Sequence, residues 1–384
     1  MRNWLLPEKF EDILPPQARR IDRMRAKLLE LFRVHGYELV IPPMLEYLES
    51  LLTGTGHDLD LRTFKLVDQL SGRMMGVRAD IAPQVARVDA HLLNREGVTR
   101  LCYAGSVLLT RPRGLDSTRE PLQIGAEIYG HPGIESDLEI QQLLVESLAA
   151  CGISGARLDV GHVAVFRAIC RHGRVGAELE SELYEALEGK DLPALRGVTQ
   201  SMPAATREAL LALPELYGDG TVLERARRAL PKYPEIDAAL TDLEVLSRSG
   251  SIPVSVDLAD LRGYHYHSGV VFAAYSPGVA NAVALGGRYD EVGKAFGRAR
   301  PATGFSMDLR DLARTTPHEA EAAAIRAPYS NDSELATAIR KLRTAGEVVV
   351  VGLPGHAAEG VQPDCDRELV KRSGEWTVRN LGKS

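Results

Sequence analysis

Cysteine is scarce in this chain of 384 residues: there are four, Cys102, Cys151, Cys170 and Cys365. None stands in a C-x-x-C pair and their spacings match no zinc signature, which excludes the common cysteine-built metal modules. Isolated cysteines in a chain this long point to a reducing compartment. Aromatic residues make up only 5%, so the core has to be built from Leu, Val, Ile and Ala. No run of 18 apolar residues exists, which excludes a conventional membrane-spanning helix. The opening residues M-R-N-W-L-L-P-E-K-F lack the apolar stretch of a secretory leader, and a cytoplasmic location is expected. Positive charge is not in excess: 46 Lys and Arg against 52 Asp and Glu give a formal net charge of -6. That balance gives no basic tail for nucleic acid and no membrane-binding patch. Also missing are G-x-G-x-x-G, G-x-x-x-x-G-K-[ST] and H-E-x-x-H, the short signatures of dinucleotide, nucleoside-triphosphate and zinc-protease sites.

What is present is length and patterning. A chain of 384 residues has room for two or three domains. Ile21, Met24, Leu28, Leu31 and Phe32 recur at helical spacing and predict a helix from Pro16 to His35, closed by Gly36. Leu39 to Ile41 reads as a strand. Phe64 to Asp80 reads as a hairpin turning at Ser71-Gly72. Helix character follows in I-A-P-Q-V-A-R-V-D-A-H-L-L, with Pro83 in the first turn. L-C-Y-A-G-S-V-L-L and P-L-Q-I-G-A-E-I-Y-G predict a second, longer hairpin around a loop rich in Arg, Gly and Asp. A helix over Glu135 to Ala150 and a strand over Ala156 to Val160 come next.

Between about Val165 and Leu246 strand signals vanish, and short helical runs broken by Gly and Pro predict an inserted helical subdomain. Strand character returns over Ile252 to Asp257, through Phe272, and over Ala280 to Leu285, where Gly286-Gly287 closes the run. Y-D-E-V-G-K-A-F-G then reads as helix. The chain turns polar after Thr315 and ends in a small α/β segment, with a helix in L-A-T-A-I-R-K-L-R-T-A-G, a strand in E-V-V-V-V-G, and W-T-V near the end. The expected organisation is a core over residues 1–320, interrupted by the helical insertion at 165–250, and a separate segment at 325–384. Hairpins with helices between them predict an α+β fold with a mostly antiparallel sheet, not a parallel doubly wound one.

Three groups of polar residues carry candidate chemistry. In L-R-G-Y-H-Y-H-S-G-V-V-F-A-A-Y, from Leu261 to Tyr275, His and Tyr alternate. On a strand, His265 and His267 would share one face and Tyr264 and Tyr266 the other. Four readings are open: a metal chelate, which lacks a third ligand; a general base; the polar wall of a ligand pocket; or a half-exposed strand with satisfied polar groups. Gln123 and Glu127, four apart on a strand, project together from a face opposite Ile124 and Ile128. Buried, they need partners, either a cationic ligand such as an α-amino group or an internal ion pair with Arg119 or Arg262. Arg78, Asp80 and Arg262 stand beside glycine or hairpin ends, where an arginine either binds a carboxylate or decorates the surface.

These stretches resemble a known family. L-R-G-Y-H-Y-H-S-G-V-V-F, G-G-R-Y-D at Gly286 to Asp290, P-A-T-G-F at Pro301 to Phe305, and Q-I-G-A-E are similar to the catalytic domain of histidyl-tRNA synthetase, a class II aminoacyl-tRNA synthetase. More closely, they resemble its paralogue family, the regulatory subunits of ATP phosphoribosyltransferase. The resemblance runs from about residue 5 to residue 315 and implies a class II synthetase-like core. The synthetase's R-P-E-G-T falls on R-A-D-I-A, with Asp80 at the acidic position and Ala82 at the threonine. The glutamine and glutamate that hold the amino acid fall on Gln123 and Glu127. R-G-L-D-Y-Y-T-G falls on R-G-Y-H-Y-H-S-G, keeping Arg262 and Tyr266 and placing His267 at the second tyrosine. The tyrosine of G-G-R-Y-D is Tyr289. The resemblance therefore implies a histidine-binding set of Asp80, Gln123, Glu127, Arg262, Tyr266, His267 and Tyr289. His267 is favoured over His265 as the ligand-facing histidine.

The nucleotide side departs from the pattern. The synthetase arginine in F-R-x-E falls on Leu109, and the arginine in G-L-E-R-L falls on Asp311. Arg310 is adjacent, but one helical step turns a side chain by about 100°. Losing two charge-assisted contacts forfeits roughly 1.5–3 kcal/mol each, and an aspartate repels polyphosphate. The resemblance thus implies a non-catalytic subunit without cofactor. It would sense L-histidine, self-associate as a dimer, and join the short-form catalytic ATP phosphoribosyltransferase subunit in a hetero-oligomer, usually an octamer. There it would raise activity and confer feedback inhibition. The shortened C-terminal segment, without a basic patch, speaks against tRNA binding.

Overall fold

Ile21, Met24, Leu28 and Phe32 repeat on one helical face, and the helix Pro15–Val34 buries all four. Such burial contributes roughly 6–12 kcal/mol before entropy is charged. Pro15 and Pro16 occupy the first turn, where a missing N–H leaves no bond unmade. Gly36, at φ +84°, ends the helix. Its N–H donates to the Arg33 carbonyl at 3.0 Å, and the Tyr37 N–H to that of Phe32 at 3.0 Å, a Schellman closure.

A computed structural model describes residues 5–53, 57–114, 117–249, 251–316, 323–355 and 365–381. The chain divides into two units, residues 1–316 and 317–384. The first is built on a nine-stranded sheet, ordered Glu38–Leu39, Thr99–Ser106, Leu122–Tyr129, Ala302–Asp308, Ala284–Arg288, Val270–Tyr275, Arg157–His162, Val254–Asp257 and Tyr217–Gly218. Glu38–Leu39 runs parallel to Thr99–Ser106, and Arg157–His162 parallel to Val254–Asp257; the other pairings are antiparallel. The expected mixed, mostly antiparallel α+β core is what the chain forms. A three-stranded sheet stands apart, ordered Leu45–Tyr47, Met74–Val77, Phe64–Val67, and its last two strands are the predicted first hairpin.

The two-residue period decides what each face of the large sheet does. Along Leu122–Tyr129, Ile124, Ala126 and Ile128 join the apolar core that also holds Leu28, Phe32, Ile140 and Phe305. Gln123, Gly125 and Glu127 alternate with them. Buried ion pairs fix the surroundings. Arg288 donates to Asp137 at 2.6 and 3.1 Å, and also to Ser136 and the Gly133 carbonyl, tying the sheet to the start of the helix Ile134–Ala150. Arg300 holds Asp89 at 2.9 and 3.0 Å.

Several expectations need correction. The tetrad Tyr264 to His267 is not a strand: residues 262–266 form a turn, and extension begins at Val270. Gly263 sits at φ +64°, which an extended strand does not accommodate. His265 and His267 therefore share no strand face. Gly286 and Gly287 lie inside the strand Ala284–Arg288 rather than after it. The segment after Asp290 is a short 3-10 helix, Val292–Phe296. The insertion is helical, with helices Val163–His172, Ala177–Glu188, Leu192–Val198, Ala204–Ala212, Val222–Ala229 and Pro234–Arg248, but Tyr217–Gly218 adds an edge strand to the main sheet.

The second unit has a sheet ordered Val349–Val351, Ala324–Ala327, Cys365–Arg372, Glu375–Asn380. The helix Ser333–Thr344, capped by the Asp332 carboxylate, packs on it through Leu335 and Ile339. The closing hairpin, Cys365–Arg372 with Glu375–Asn380, extends well beyond the W-T-V signal. Residues 1–4 and much of the polar stretch after Thr315 lie outside the described residues. No described helix is long and apolar enough to cross a membrane.

Candidate functional site

Three glycines on adjacent strands open a cavity in the face of the sheet away from the helix Pro15–Val34. A Cβ on Gly304 would lie 1.5 Å from Glu127 Oε2, one on Gly125 would lie 2.5 Å from the Tyr103 hydroxyl, and one on Gly287 would lie 2.7 Å from the His267 ring. Absence of side chains at these points is what lets Glu127, Tyr103 and His267 occupy the same space. The cavity has a volume of about 430 Å³.

Glu127 is 2% exposed. Its Oε1 accepts from the Tyr103 hydroxyl at 3.0 Å and its Oε2 from the Tyr289 hydroxyl. Tyr129 bonds Tyr289 in turn at 3.2 Å. No cation of the described residues reaches the Glu127 carboxylate. Burial pushes its pKa up to about 8; the two tyrosine hydroxyls pull the other way, and the charge of Asp80 adds to the rise. The same burial, with Glu127 nearby, holds the phenols of Tyr103, Tyr129 and Tyr289 well above their usual range.

Asp80 lines the cavity beside Glu127. Its Oδ1 accepts from the Ala82 N–H at 3.0 Å and from Gln123 Nε2 at 2.9 Å. Gln123 Oε1 accepts from the Ile81 N–H at 2.9 Å. Gln123 thus stands behind Asp80 and positions it, and does not itself line this cavity. Arg78 is spent on backbone, donating to the Ser106 and Pro42 carbonyls.

The turn and the residue after it send four side chains different ways. Tyr266 lies against the Tyr289 ring, centroids 4.9 Å apart, and its buried hydroxyl has no partner among the described residues. His267 Nδ1 lies 3.2 Å from the Arg262 carbonyl, so Nδ1–H donates and Nε2 is left as an acceptor. Burial lowers the His267 pKa to about 4, which keeps the ring neutral. Tyr264 points into the helical insertion, stacking on Tyr184 and donating to Glu180. His265 is exposed at the rim, against the edge of Tyr184.

Six of the seven sequence-predicted residues, Asp80, Glu127, Arg262, Tyr266, His267 and Tyr289, line one cavity. Neither predicted ion pair to Glu127 forms. Arg262 donates twice to Asp260, at 3.1 and 2.8 Å. Arg119 lies over Phe10 and Phe64 and bonds the Leu109 carbonyl. Sequence reasoning missed Tyr103, Tyr129 and Asp260. Asp260, two residues before Arg262, was the one with a local signal.

A second cavity of about 290 Å³ adjoins the first through the shared residues Arg113, Arg262, Leu285 and Ser306. Asp308 and Asp311 line it. Burial and the charge of Asp311 raise Asp308 to about 6. Arg310 turns away and pairs with Glu120 at 3.0 Å. Leu109 is 1% exposed and lines neither cavity. Among the described residues, no group of three or more His, Cys, Asp and Glu is placed to hold a metal ion.

A family model described as histidyl-tRNA synthetase matches residues 9–312, and one described as the ATP phosphoribosyltransferase subunit HisZ C-terminal domain matches residues 322–379. A Ralstonia pickettii protein named ATP phosphoribosyltransferase regulatory subunit is 61% identical over 378 residues, 98% of each chain. A Paraburkholderia phymatum protein of the same name is 60% identical over 379 residues, 98% of this chain and 99% of that one. A solved structure from Bacillus halodurans, described as an ATP phosphoribosyltransferase regulatory subunit/histidyl-tRNA synthetase, aligns with TM-score 0.83 at 26% identity, covering 94% of this chain and 95% of that one. Histidyl-tRNA synthetase from Nostoc sp. shares the fold, with TM-score 0.78 at 17% identity over 99% and 97% of the two chains.

Proposed function

We propose, from the premise that this chain belongs to the family of ATP phosphoribosyltransferase regulatory subunits, that its cavity is a histidine sensor. The chain is a regulatory subunit acting in histidine biosynthesis and a non-catalytic paralogue of histidyl-tRNA synthetase. It pairs with a catalytic ATP phosphoribosyltransferase subunit as its regulatory partner. The finer reading is that the partner is the short-form catalytic chain, that the assembly is a cytoplasmic hetero-octamer containing dimers of this chain, and that histidine inhibits through it.

One observation carries the histidine reading: Glu127 is a buried carboxylate with two hydroxyl donors and no cation, facing a cavity large enough for an amino acid. A buried carboxylate ionises only when a positive partner arrives. An α-ammonium or an imidazolium supplies one. Asp80, held by Gln123, adds a second negative group. Neutral His267 offers Nε2 as an acceptor and Tyr266 an unused hydroxyl, which together suit a ligand with several N–H donors. Regulation further requires histidine to bind the active and inhibited assemblies unequally.

The alternative, a working synthetase, needs a cationic grip on ATP. The corresponding positions hold Leu109 and Asp311, and the adjoining cavity is lined by two aspartates. Calorimetric titration with histidine and with ATP, each with and without the catalytic subunit, tests the reading. Heat from histidine and none from ATP is expected. ATP–pyrophosphate exchange driven by histidine would overturn it.

A further inference from the structure

The resemblance puts Arg262 in the histidine-binding set, where a carboxylate would be its natural partner, but the geometry places that arginine under another obligation. Its Nε and one terminal nitrogen are both bonded to Asp260, at 3.1 and 2.8 Å. The Asp260 side chain is 8% exposed, so breaking the pair would strand a buried charge. The pair is close to neutral as seen by a ligand. Besides Arg262, the guanidinium groups that line the amino-acid cavity belong to Arg62 and Arg113. Arg113 alone of these two also lines the second cavity, so it stands where the two meet. It forms no ion pair or hydrogen bond among the described residues. Its charge is felt at Asp308 across the second cavity, which is not a bonded pairing.

The amino-acid cavity thus carries both signs in its lining: the carboxyl groups of Glu127 and Asp80, and the unbonded guanidinium of Arg113. A zwitterion matches that lining: its cationic group seeks the carboxyl groups, and its carboxylate is repelled from them and drawn to the arginine. A planar guanidinium is suited to two parallel bonds with a carboxylate.

We infer that Arg113, and not Arg262, receives the carboxylate of the amino-acid ligand, a reading that rests on the sensor function proposed above. Arg262 acts as a positioning residue. Its carbonyl fixes the His267 tautomer, and its side chain neutralises Asp260.

The test compares L-histidine with histamine, which lacks only the carboxylate, using the full chain together with its catalytic subunit. The wild type binds histidine at least about tenfold more tightly than histamine, the worth of one charge-assisted bond. Arg113→Ala weakens histidine about tenfold and leaves histamine unchanged, collapsing the ratio toward one; Arg113→Lys keeps part of it. Arg262→Ala lowers the melting temperature and leaves the ratio above one. The inference is overturned if Arg113→Ala preserves the ratio, or if Arg262→Ala or Arg62→Ala collapses it instead. A wild type that binds neither compound sinks the sensor reading itself, so the two failures are distinguishable.

Discussion

Histidine binding should be coupled to proton release at Glu127, and the size of the coupling follows from its surroundings. Burial raises this carboxyl to about 8 in the empty cavity. At pH 7 such a group is about nine-tenths protonated. A cationic ligand needs the ionised form, so binding must first expel the proton, at a cost of about 1.4 kcal/mol at pH 7. That cost falls as pH rises. Affinity should increase about tenfold from pH 6 to pH 7, about fivefold more from pH 7 to pH 8, and then level off. The other groups facing Glu127 do not imitate this. His267, lowered to about 4, is neutral throughout, and the phenols of Tyr103, Tyr129, Tyr266 and Tyr289 stay protonated. Tyrosines aside, Asp80, Glu188, His265, Arg62, Arg113 and Arg262 complete the ionisable lining of the cavity. Calorimetry in buffers of different ionisation enthalpy reads the released proton directly, and close to one per ligand is expected at pH 7. The ligand's own imidazole also titrates near the lower end of the range, so Glu127→Gln is the control. Any slope left in that variant belongs to the ligand. A wild-type affinity that is flat from pH 6 to pH 8, or no proton release, refutes the reasoning.

The same group should mark the stability of the empty protein. The folded pKa of Glu127 lies above its ordinary value of 4.5, so its contribution is intact below about pH 4.5 and is lost as pH rises toward 8. Wild type should lose up to about 1.4 kcal/mol per pH unit relative to Glu127→Gln across that window, measured by urea denaturation; parallel stability curves would contradict this. Tyr289→Phe removes one of the two donors to the ionised carboxylate. It should weaken histidine about tenfold and move the pH profile of binding upward, and unchanged titrations would count against the assigned role. Gly304→Ala places a methyl 1.5 Å from Glu127 Oε2. It should cost about 1–3 kcal/mol and abolish binding, and a crystal structure should show the carboxylate displaced. Arg288→Ala strands the buried Asp137 carboxylate and should cost about 3–5 kcal/mol in equilibrium unfolding.

Periodicity made some of this legible in the sequence. The hairpins followed from alternation and turn residues. Gln123 and Glu127 on one face, opposite Ile124 and Ile128, pointed to buried polar groups in need of partners, either a cationic ligand or an internal ion pair. What local pattern could not show was register across strands. Tyr103 reaches Glu127 because its strand partner is Gly125, and the sequence does not state that pairing. The His-Tyr tetrad reads as a strand because its side chains alternate. Gly263, at φ +64°, bends it instead and sends Tyr264, His265 and His267 to three different places. Gly286 and Gly287 read as a stop signal, yet in strands glycine also marks a close approach, and here Gly287 gives way to the His267 ring. In G-G-R-Y-D, Tyr289 serves the cavity, whereas Arg288 and Asp290 hold the frame through Asp137 and the Ala302 N–H.

The two cavities pose opposite electrostatic problems to a ligand. Asp308, at about 6, is about nine-tenths ionised at pH 7, and Asp311 adds a second carboxylate beside it. One pair of like charges about 4 Å apart costs about 4 kcal/mol at an effective dielectric of 20. Polyphosphate brings several such charges against the two aspartates, with Arg113 and the Asp260-paired Arg262 as the cavity's cationic lining. On the sensor reading proposed above, an amino acid held next door is bound without being activated, and its effect is on the protein. The turn 262–266 joins the cavity to the helical insertion. One side of it presents Tyr266, with His267 beyond, to the cavity. The other side is clasped by the helical insertion, where Arg167 donates to the Tyr264 carbonyl at 2.6 Å and lies over its ring, and Phe166 packs edge-on against it. Tyr264 and Tyr266 are two residues apart on this turn, so a ligand contact and a contact to the insertion sit on the same short segment. A coupling of about 1–3 kcal/mol, enough for a 5- to 150-fold regulatory effect, is no more than the loss of one or two such contacts in one of two states.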